Sequence, residues 1–207
     1  MTVGLIDYGG GNLRSVENAL RALGVVPRMI AGEAELEGVT HLILPGQGEF
    51  GKVMEALEVR GLVEPLRAWI SAGRAYFGIC VGFQILFEGS EEAPGVAGLG
   101  IVSGRCVRFQ EGEGKKIPQM GWNGTVPEGV GEGFWKGLGD EPYFYFVHSY
   151  FPVPTDASWK AAMTEYAGEK FVAAVEKGAV LACQFHPEKS QDAGLGLIRN
   201  FLGIQGN

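Results

Sequence analysis

Cysteine is scarce in this chain. Cys80, Cys106 and Cys183 are odd in number and form no Cys-x-x-Cys pair, which argues against a disulfide framework and a structural zinc site. Positive charge is short as well: 17 lysines and arginines stand against 24 aspartates and glutamates, a formal net charge of −7. Broad nucleic-acid binding needs a basic footprint, so no nucleic-acid partner is expected. No apolar run approaches the roughly 18 residues of a membrane span. The opening MTVGLIDYGG carries neither a basic segment nor a signal-length apolar core, so the expected location is cytoplasmic, with no membrane partner.

What is present suits a globular domain. Hydrophobic residues make up 46% of the 207 positions and charged residues 20%, enough for one domain over 1–207 with a substantial core. The 34 glycines cluster in turns, at Gly9–Gly11 and from Gly129 to Gly139, without low complexity. Apolar spacing gives alternating strands and helices through the first half. Strands are expected at Thr2–Asp7, Val25–Ile30, His41–Leu44 and Arg74–Ile79. Helices are expected at Asn12–Leu23, Glu49–Glu58, Leu62–Ala72 and from Cys80 to about Phe87. Shorter strands follow from Gly98 onward, then a hairpin of Lys170–Glu176 and Ala179–Gln184 around Lys177-Gly178, and a last helix over Ala193–Leu202. The expected fold is α/β: an open, mostly parallel sheet with helices on both faces and an antiparallel extension.

The strand, glycine and helix order of DYGGGNLRS invites a nucleotide-binding reading. The dinucleotide fingerprint needs a third glycine where Arg14 stands. A phosphate loop needs a Gly-Lys-Ser/Thr ending that is missing here. A plain strand-to-helix turn is the better reading of these residues alone.

The sharper signal is Gly78-Ile79-Cys80-Val81-Gly82-Phe83-Gln84. An apolar strand runs into Gly-x-Cys-x-Gly and then a helix, the cysteine form of a nucleophile elbow. Glycines at 78 and 82 leave room for crowded backbone, and a helix start beside Cys80 favours the reactive thiolate. On this stretch alone, a reactive cysteine and a small core cysteine are equally good readings. The segment Gln184-Phe185-His186-Pro187-Glu188-Lys189-Ser190 decides between them. A cysteine nucleophile needs a base and a carboxylate to orient it; His186 and Glu188 supply both if the Pro187 bend folds the carboxylate back. Pro45-Gly46-Gln47-Gly48, at the end of the third strand, offers backbone N–H groups for an oxyanion, with the amide of Val81 as a second donor. All three motifs fall at strand carboxyl ends, where open α/β sheets build their sites.

Together these motifs resemble the class I glutamine amidotransferases, and the resemblance runs over essentially the whole chain. It implies hydrolysis of L-glutamine through a γ-glutamyl thioester at Cys80, with His186 as base then acid and Glu188 fixing its tautomer. Gly46, Gln47, Gly48 and Val81 would form the oxyanion hole. Four segments are further similar to one branch of the family, the glutaminase subunits of imidazole glycerol phosphate synthase: Asp7-Tyr8-Gly9-Gly10-Gly11-Asn12-Leu13-Arg14-Ser15, Met120-Gly121-Trp122-Asn123, Tyr145-Phe146-Val147-His148-Ser149-Tyr150 and His186-Pro187-Glu188-Lys189-Ser190. That likeness implies a (β/α)8-barrel cyclase partner that receives ammonia in histidine biosynthesis, and no metal or organic cofactor. Substrate contacts carried over with it are Gly48, Gln84, Glu92, Ser149 and Tyr150, with Glu92 on the ammonium. Asn12, Trp122, Asn123, Tyr145 and Lys189 would meet the partner or gate ammonia. By themselves Tyr145 reads as strand packing, Lys189 as a surface charge and His148 as a satisfied structural histidine. Three positions depart from the branch: it usually has a small apolar residue at Gln47, leucine at Val81 and methionine at Phe83. Rival readings are a glutaminase for another acceptor, such as pyridoxal phosphate synthase or anthranilate synthase, and a non-catalytic regulatory subunit.

Overall fold

The computed structural model describes residues 1–10, 12–112, 115–128 and 133–204. Gly11 of the opening turn and Gly129 of the later glycine cluster lie outside that set. The chain begins with β1 (Val3–Ile6), α1 (Leu13–Ala22), β2 (Arg28–Ile30), β3 (His41–Leu44), α2 (Phe50–Val59), α3 (Val63–Ser71), β4 (Ala75–Ile79) and α4 (Val81–Gln84). It continues with β5 (Gly89–Ser90), β6 (Gly104–Arg108), β7 (Gln119–Gly124), β8 (Tyr143–His148), β9 (Tyr150–Pro154), β10 (Lys160–Tyr166), β11 (Glu169–Lys177), β12 (Val180–Cys183) and α5 (Gln191–Phe201).

Among the described residues, seven strands form the central sheet in the order β10-β11-β12-β4-β3-β1-β2. Neighbours from β12 through β2 run parallel, while β10–β11 and β11–β12 run antiparallel. The expected antiparallel extension is therefore one flank of the main sheet. Side chains alternate between two cores, as strand geometry requires. Tyr76, Leu42 and Leu44 face α2 and α3, whereas Phe77, Ile79 and Ile43 face α1 and α5. Each fully buried leucine, isoleucine or phenylalanine contributes roughly 1.5–3 kcal/mol. Two smaller sheets, β5-β6-β9 and β7-β8, sit outside the main one.

Several boundaries differ from the sequence expectation. The second strand is only Arg28–Ile30, because residues 23–25 close α1. Val25 N–H reaches Leu20 C=O at 2.9 Å, and Gly24 N–H, at φ +77°, reaches Arg21 C=O at 2.9 Å. This paired C-cap takes Val25 out of the strand. The helix after Cys80 stops at Gln84 rather than near Phe87, its end tightening into Leu86 N–H to Phe83 C=O and Phe87 N–H to Gln84 C=O bonds. A four-residue helix gives little macrodipole, so the expected help to a Cys80 thiolate from a helix start is small. The last helix starts at Gln191, two residues early, and β10 was not foreseen as an element of its own.

Candidate active site

Cys80 stands where β4 meets α4, at φ +50° and ψ −106°. A non-glycine residue there is strained by about 1–3 kcal/mol and needs surroundings that enforce it. The surroundings are glycine backbone. A Cβ on Gly78 would lie 2.4 Å from Gly82 O, one on Gly82 2.4 Å from Leu44 O, and one on Gly46 1.9 Å from Ile79 O. Tyr76 Oη donates to Gly82 O at 2.8 Å, and Cys80 N–H donates to Cys183 O at 2.7 Å, carrying the β4–β12 pairing past the strand end.

The tail of β12 brings the other two groups. Phe185 stacks on Phe144, with centroids 3.9 Å apart and planes 9° from parallel, so its neighbours Gln184 and His186 are turned to the opposite side. Pro187–Lys189 then forms a 3-10 turn. It folds Glu188 back so that His186 Nδ1 meets Glu188 Oε1 at 2.8 Å, both side chains almost wholly buried. Ser190 Oγ donates to His186 O at 2.6 Å and accepts from Tyr145 N–H at 3.0 Å, while His186 N–H donates to Tyr145 O at 2.9 Å. With Nδ1 committed to Glu188, the other ring nitrogen is left for Cys80. Burial alone would lower the imidazole pKa. The charge of Cys80, its hydrogen bond, and the bond and charge of Glu188 outweigh burial and push it up to about 10. The ring thus holds its proton more tightly than a free imidazole does.

The strand end Pro45–Gly48 lies against the cysteine. Tyr8 Oη donates to Gln47 O at 2.7 Å and accepts from Gln47 N–H at 3.3 Å, so the peptide groups on either side of Gln47 are both tied to one hydroxyl. Burial first, offset by the Gln47 bond and then assisted by the Cys80 and Asp7 charges, pushes the Tyr8 hydroxyl up to about 12. Val81 opens α4, so its N–H is one of those left without an intrahelical acceptor.

The remaining sequence candidates are held by contacts of their own. Gln84 Nε2 donates to Tyr150 O at 2.9 Å and to Gln184 Oε1 at 3.1 Å. Ser149 O accepts from Phe109 N–H at 3.0 Å, while Tyr150 O, which also accepts from His148 Nδ1, has both lone pairs engaged within the chain. Glu92 Oε2 accepts Phe50 N–H at 2.8 Å, tying that carboxylate to the segment just beyond Gly48. It also borders an open groove of about 560 Å³ with Glu49, Lys52, Glu55 and Glu58, which none of Cys80, His186 and Glu188 lines. Trp122 meets Tyr145 edge to face at 6.0 Å across the β7–β8 ribbon, and Lys189 Nζ lies 6.0 Å from the Tyr145 ring. Asn123 accepts from Gln119 Nε2 at 2.8 Å and donates to Glu165 O at 3.2 Å, while Asn12 donates to Ser15 Oγ. His148 donates through Nδ1 to Tyr150 O at 2.9 Å; burial, against that bond and with the nearby His186 charge, pushes it down to about 3. Two residues of the site were not singled out from sequence. Tyr8 sat in a stretch read as a strand-to-helix turn and as one of the branch-like segments, with no role given to its side chain, and Gln184, a buried polar residue two before His186 in an apolar strand, was the available signal for the other. Among the described residues no group of three His, Cys, Asp or Glu side chains could hold a metal ion.

An elbow cysteine paired with a histidine and a glutamate on the carboxyl edge of a parallel sheet is the arrangement of an acyl-transfer hydrolase, and the comparisons agree. The family described as Glutamine amidotransferase class-I matches residues 4–203, and the chain belongs to it. Its fold is shared with solved structures, among them a glutamine amidotransferase (TM-score 0.77, 23% identity, 99% of this chain and 98% of that one) and PurLQS from Thermotoga maritima (TM-score 0.76, 20% identity, 98% and 97%). Within the family it lies with proteins named imidazole glycerol phosphate synthase subunit HisH. It is 46% identical to that of Desulfitobacterium hafniense over 96% of this chain and 92% of the relative. It is 46% identical to that of Deinococcus radiodurans over 95% and 91%, and 43% identical to that of Chlorobaculum tepidum over 95% and 97%.

Proposed function

We propose that this protein is the glutaminase subunit of a cytoplasmic imidazole glycerol phosphate synthase, folded as one domain over 1–207, with Cys80 as nucleophile. The observation that carries the reading is the fold-back of Glu188 onto His186 Nδ1 at 2.8 Å, which leaves the other ring nitrogen for Cys80. The Cys80 thiolate attacks the glutamine amide carbon, and the oxygen charge that develops falls to Val81 N–H and the Gly46–Gly48 strand. Imidazolium His186 gives its proton to the departing nitrogen, releasing ammonia and leaving a γ-glutamyl thioester. Neutral His186 then takes a proton from water as it adds to the thioester carbonyl. The carbon–sulfur bond breaks, glutamate leaves, and the His186–Cys80 ion pair is restored. Glu188 keeps Nδ1 protonated throughout. Glu92, with one oxygen held by Phe50 N–H, would meet the substrate ammonium with the other, and Gln84, Gly48, Ser149 and Tyr150 would complete the substrate pocket.

A partner subunit is part of the name the relatives carry. Support for a barrel cyclase on this edge comes from the outward face of β7 and β8. Met120, Trp122 and Tyr143 are exposed there, and Tyr145, whose backbone carbonyl accepts from His186 N–H, joins them with Lys189 near its ring. An apolar face with an aromatic anchor and a lysine suits a protein partner. Asn12 and the glycine turn before it would serve docking as well, and Asn123, on the other face of β7 from Trp122, would hold that strand to Glu165 O. Mixing the chain with the cyclase subunit and measuring glutamate release tests this. Stimulation by that barrel is expected; full activity without it, or stimulation only by an unrelated acceptor synthase, contradicts it.

A further inference from the structure

Gln184 has no part in the chemistry described above, yet it is wholly buried beside the nucleophile. A buried amide must be bonded at both ends or cost stability. Its partners are Gln84 Nε2, which donates to Gln184 Oε1 at 3.1 Å, and Cys80 Sγ, which lies 3.6 Å from Gln184 Nε2.

Carbonyl oxygens only accept, and this fixes the direction of the whole chain of bonds. Tyr150 O takes a hydrogen from His148 Nδ1 and another from Gln84 Nε2, each at 2.9 Å. Gln84 therefore must present nitrogen on that side, and its second hydrogen points at Gln184. Gln184 must answer with its oxygen, which turns its own nitrogen toward the sulfur. The orientation of the amide at Cys80 is thus dictated by a backbone carbonyl two side chains away. Backbone holds the far end too, since Gln184 N–H donates to Ala173 O at 2.7 Å.

We propose that Gln184 is a positioning residue for the nucleophile, its amide N–H holding Cys80 Sγ as a thiolate aimed at the substrate and linking it through Gln84 to Tyr150. This rests on Cys80 being the nucleophile. Unlike His186, the amide is neutral at every pH and does not leave with the proton. It stays with the sulfur while His186 protonates the departing nitrogen, and it meets the thiolate again when the thioester breaks. A bond from N–H to an ionised acceptor is stronger than one to a neutral thiol, so the contact favours the charged form.

The test is alkylation of Cys80 by iodoacetamide in the full chain as a function of pH, with the modified residue mapped by peptide mass spectrometry. In Gln184→Met, which keeps the volume and removes the donor, the rate at pH 7 is expected to fall about 10-fold and the pH midpoint to move up by about one unit. Gln184→Glu is expected to move it further, by setting a carboxylate against the sulfur. In steady-state glutaminase assays kcat is expected to fall more than KM rises. A Gln184→Met pH profile that overlays the wild type overturns the proposal. Should that variant not fold, wild-type chain labelled with 15N-glutamine gives the answer. One side-chain amide resonance is expected to titrate with the alkylation midpoint and to stop titrating in Cys80→Ala; no such resonance overturns the proposal as well. If a γ-glutamyl electrophile fails to label Cys80 in wild-type protein, the fault lies with the nucleophile assignment and not with Gln184.

Discussion

In the proposed mechanism Glu188 and His186, which touch at 2.8 Å, do different work on the proton. His186 receives it and delivers it; Glu188 keeps the ring turned the right way. Removing the carboxylate leaves an imidazole that still samples the productive pose, whereas removing the ring leaves no carrier. His186→Ala is therefore expected to lower turnover about ten- to a hundredfold more than Glu188→Gln, measured as glutamate release in the assembled enzyme. Equal loss in both would give the carboxylate a larger role. His148 makes a separate prediction. Its pKa in the fold is near 3 against about 6.5 for a free side chain. The unfolded chain thus binds a proton that the folded one refuses as pH falls below about 6.5. Stability from this residue is complete above that value and is lost on acidification toward 3, at about 1.4 kcal/mol per pH unit. Between pH 6.5 and 5 the urea midpoint of the wild type should fall more steeply than that of His148→Gln. Parallel slopes would mean that the ring is charged in the fold.

The elements around the site explain both what was legible and what was not. The Cys80 elbow and the His186–Glu188 turn were readable because glycine, proline and a nucleophile follow one another within a few residues. The β11–β12 hairpin was readable for the same reason, through Lys177-Gly178. Tyr8 and Gln184 were not, because their partners lie far along the chain, at Gln47, Cys80 and Gln84. The short α4 also escaped, since an apolar run such as Val81–Phe87 does not say where helical bonding ends. Tyr8 gives the element scale its own test. Its hydroxyl holds the Gln47 carbonyl at 2.7 Å and occupies the Gln47 N–H, keeping that donor from an oxyanion. Tyr8→Phe removes about 0.5–1.5 kcal/mol of restraint. Glutamate release by the isolated chain should then rise about 3- to 10-fold, with less stimulation left for the partner. A fall would show that Tyr8 aligns the strand instead of restraining it.

At the scale of the whole molecule, the carboxyl ends of β3, β4 and β12, the opening turn and the β7–β8 face share one edge. The nucleophile, its base and the exposed Trp122 are thereby gathered where a second subunit would close over them. Ammonia released at Cys80 would emerge beneath that subunit and not into solvent. Trp122→Ala should weaken the complex about 10-fold or more, as loss of an aromatic anchor does, while free chain reacts with a γ-glutamyl electrophile at an unchanged rate. Unaltered affinity would move the interface elsewhere. The most direct measurement is synthesis by the assembled enzyme carrying Cys80→Ser, supplied in turn with glutamine and with ammonium. The account predicts that synthesis from glutamine disappears while synthesis from ammonium keeps its wild-type rate, because the acceptor chemistry belongs to the partner. Glutamine-dependent synthesis that survives the substitution would contradict it.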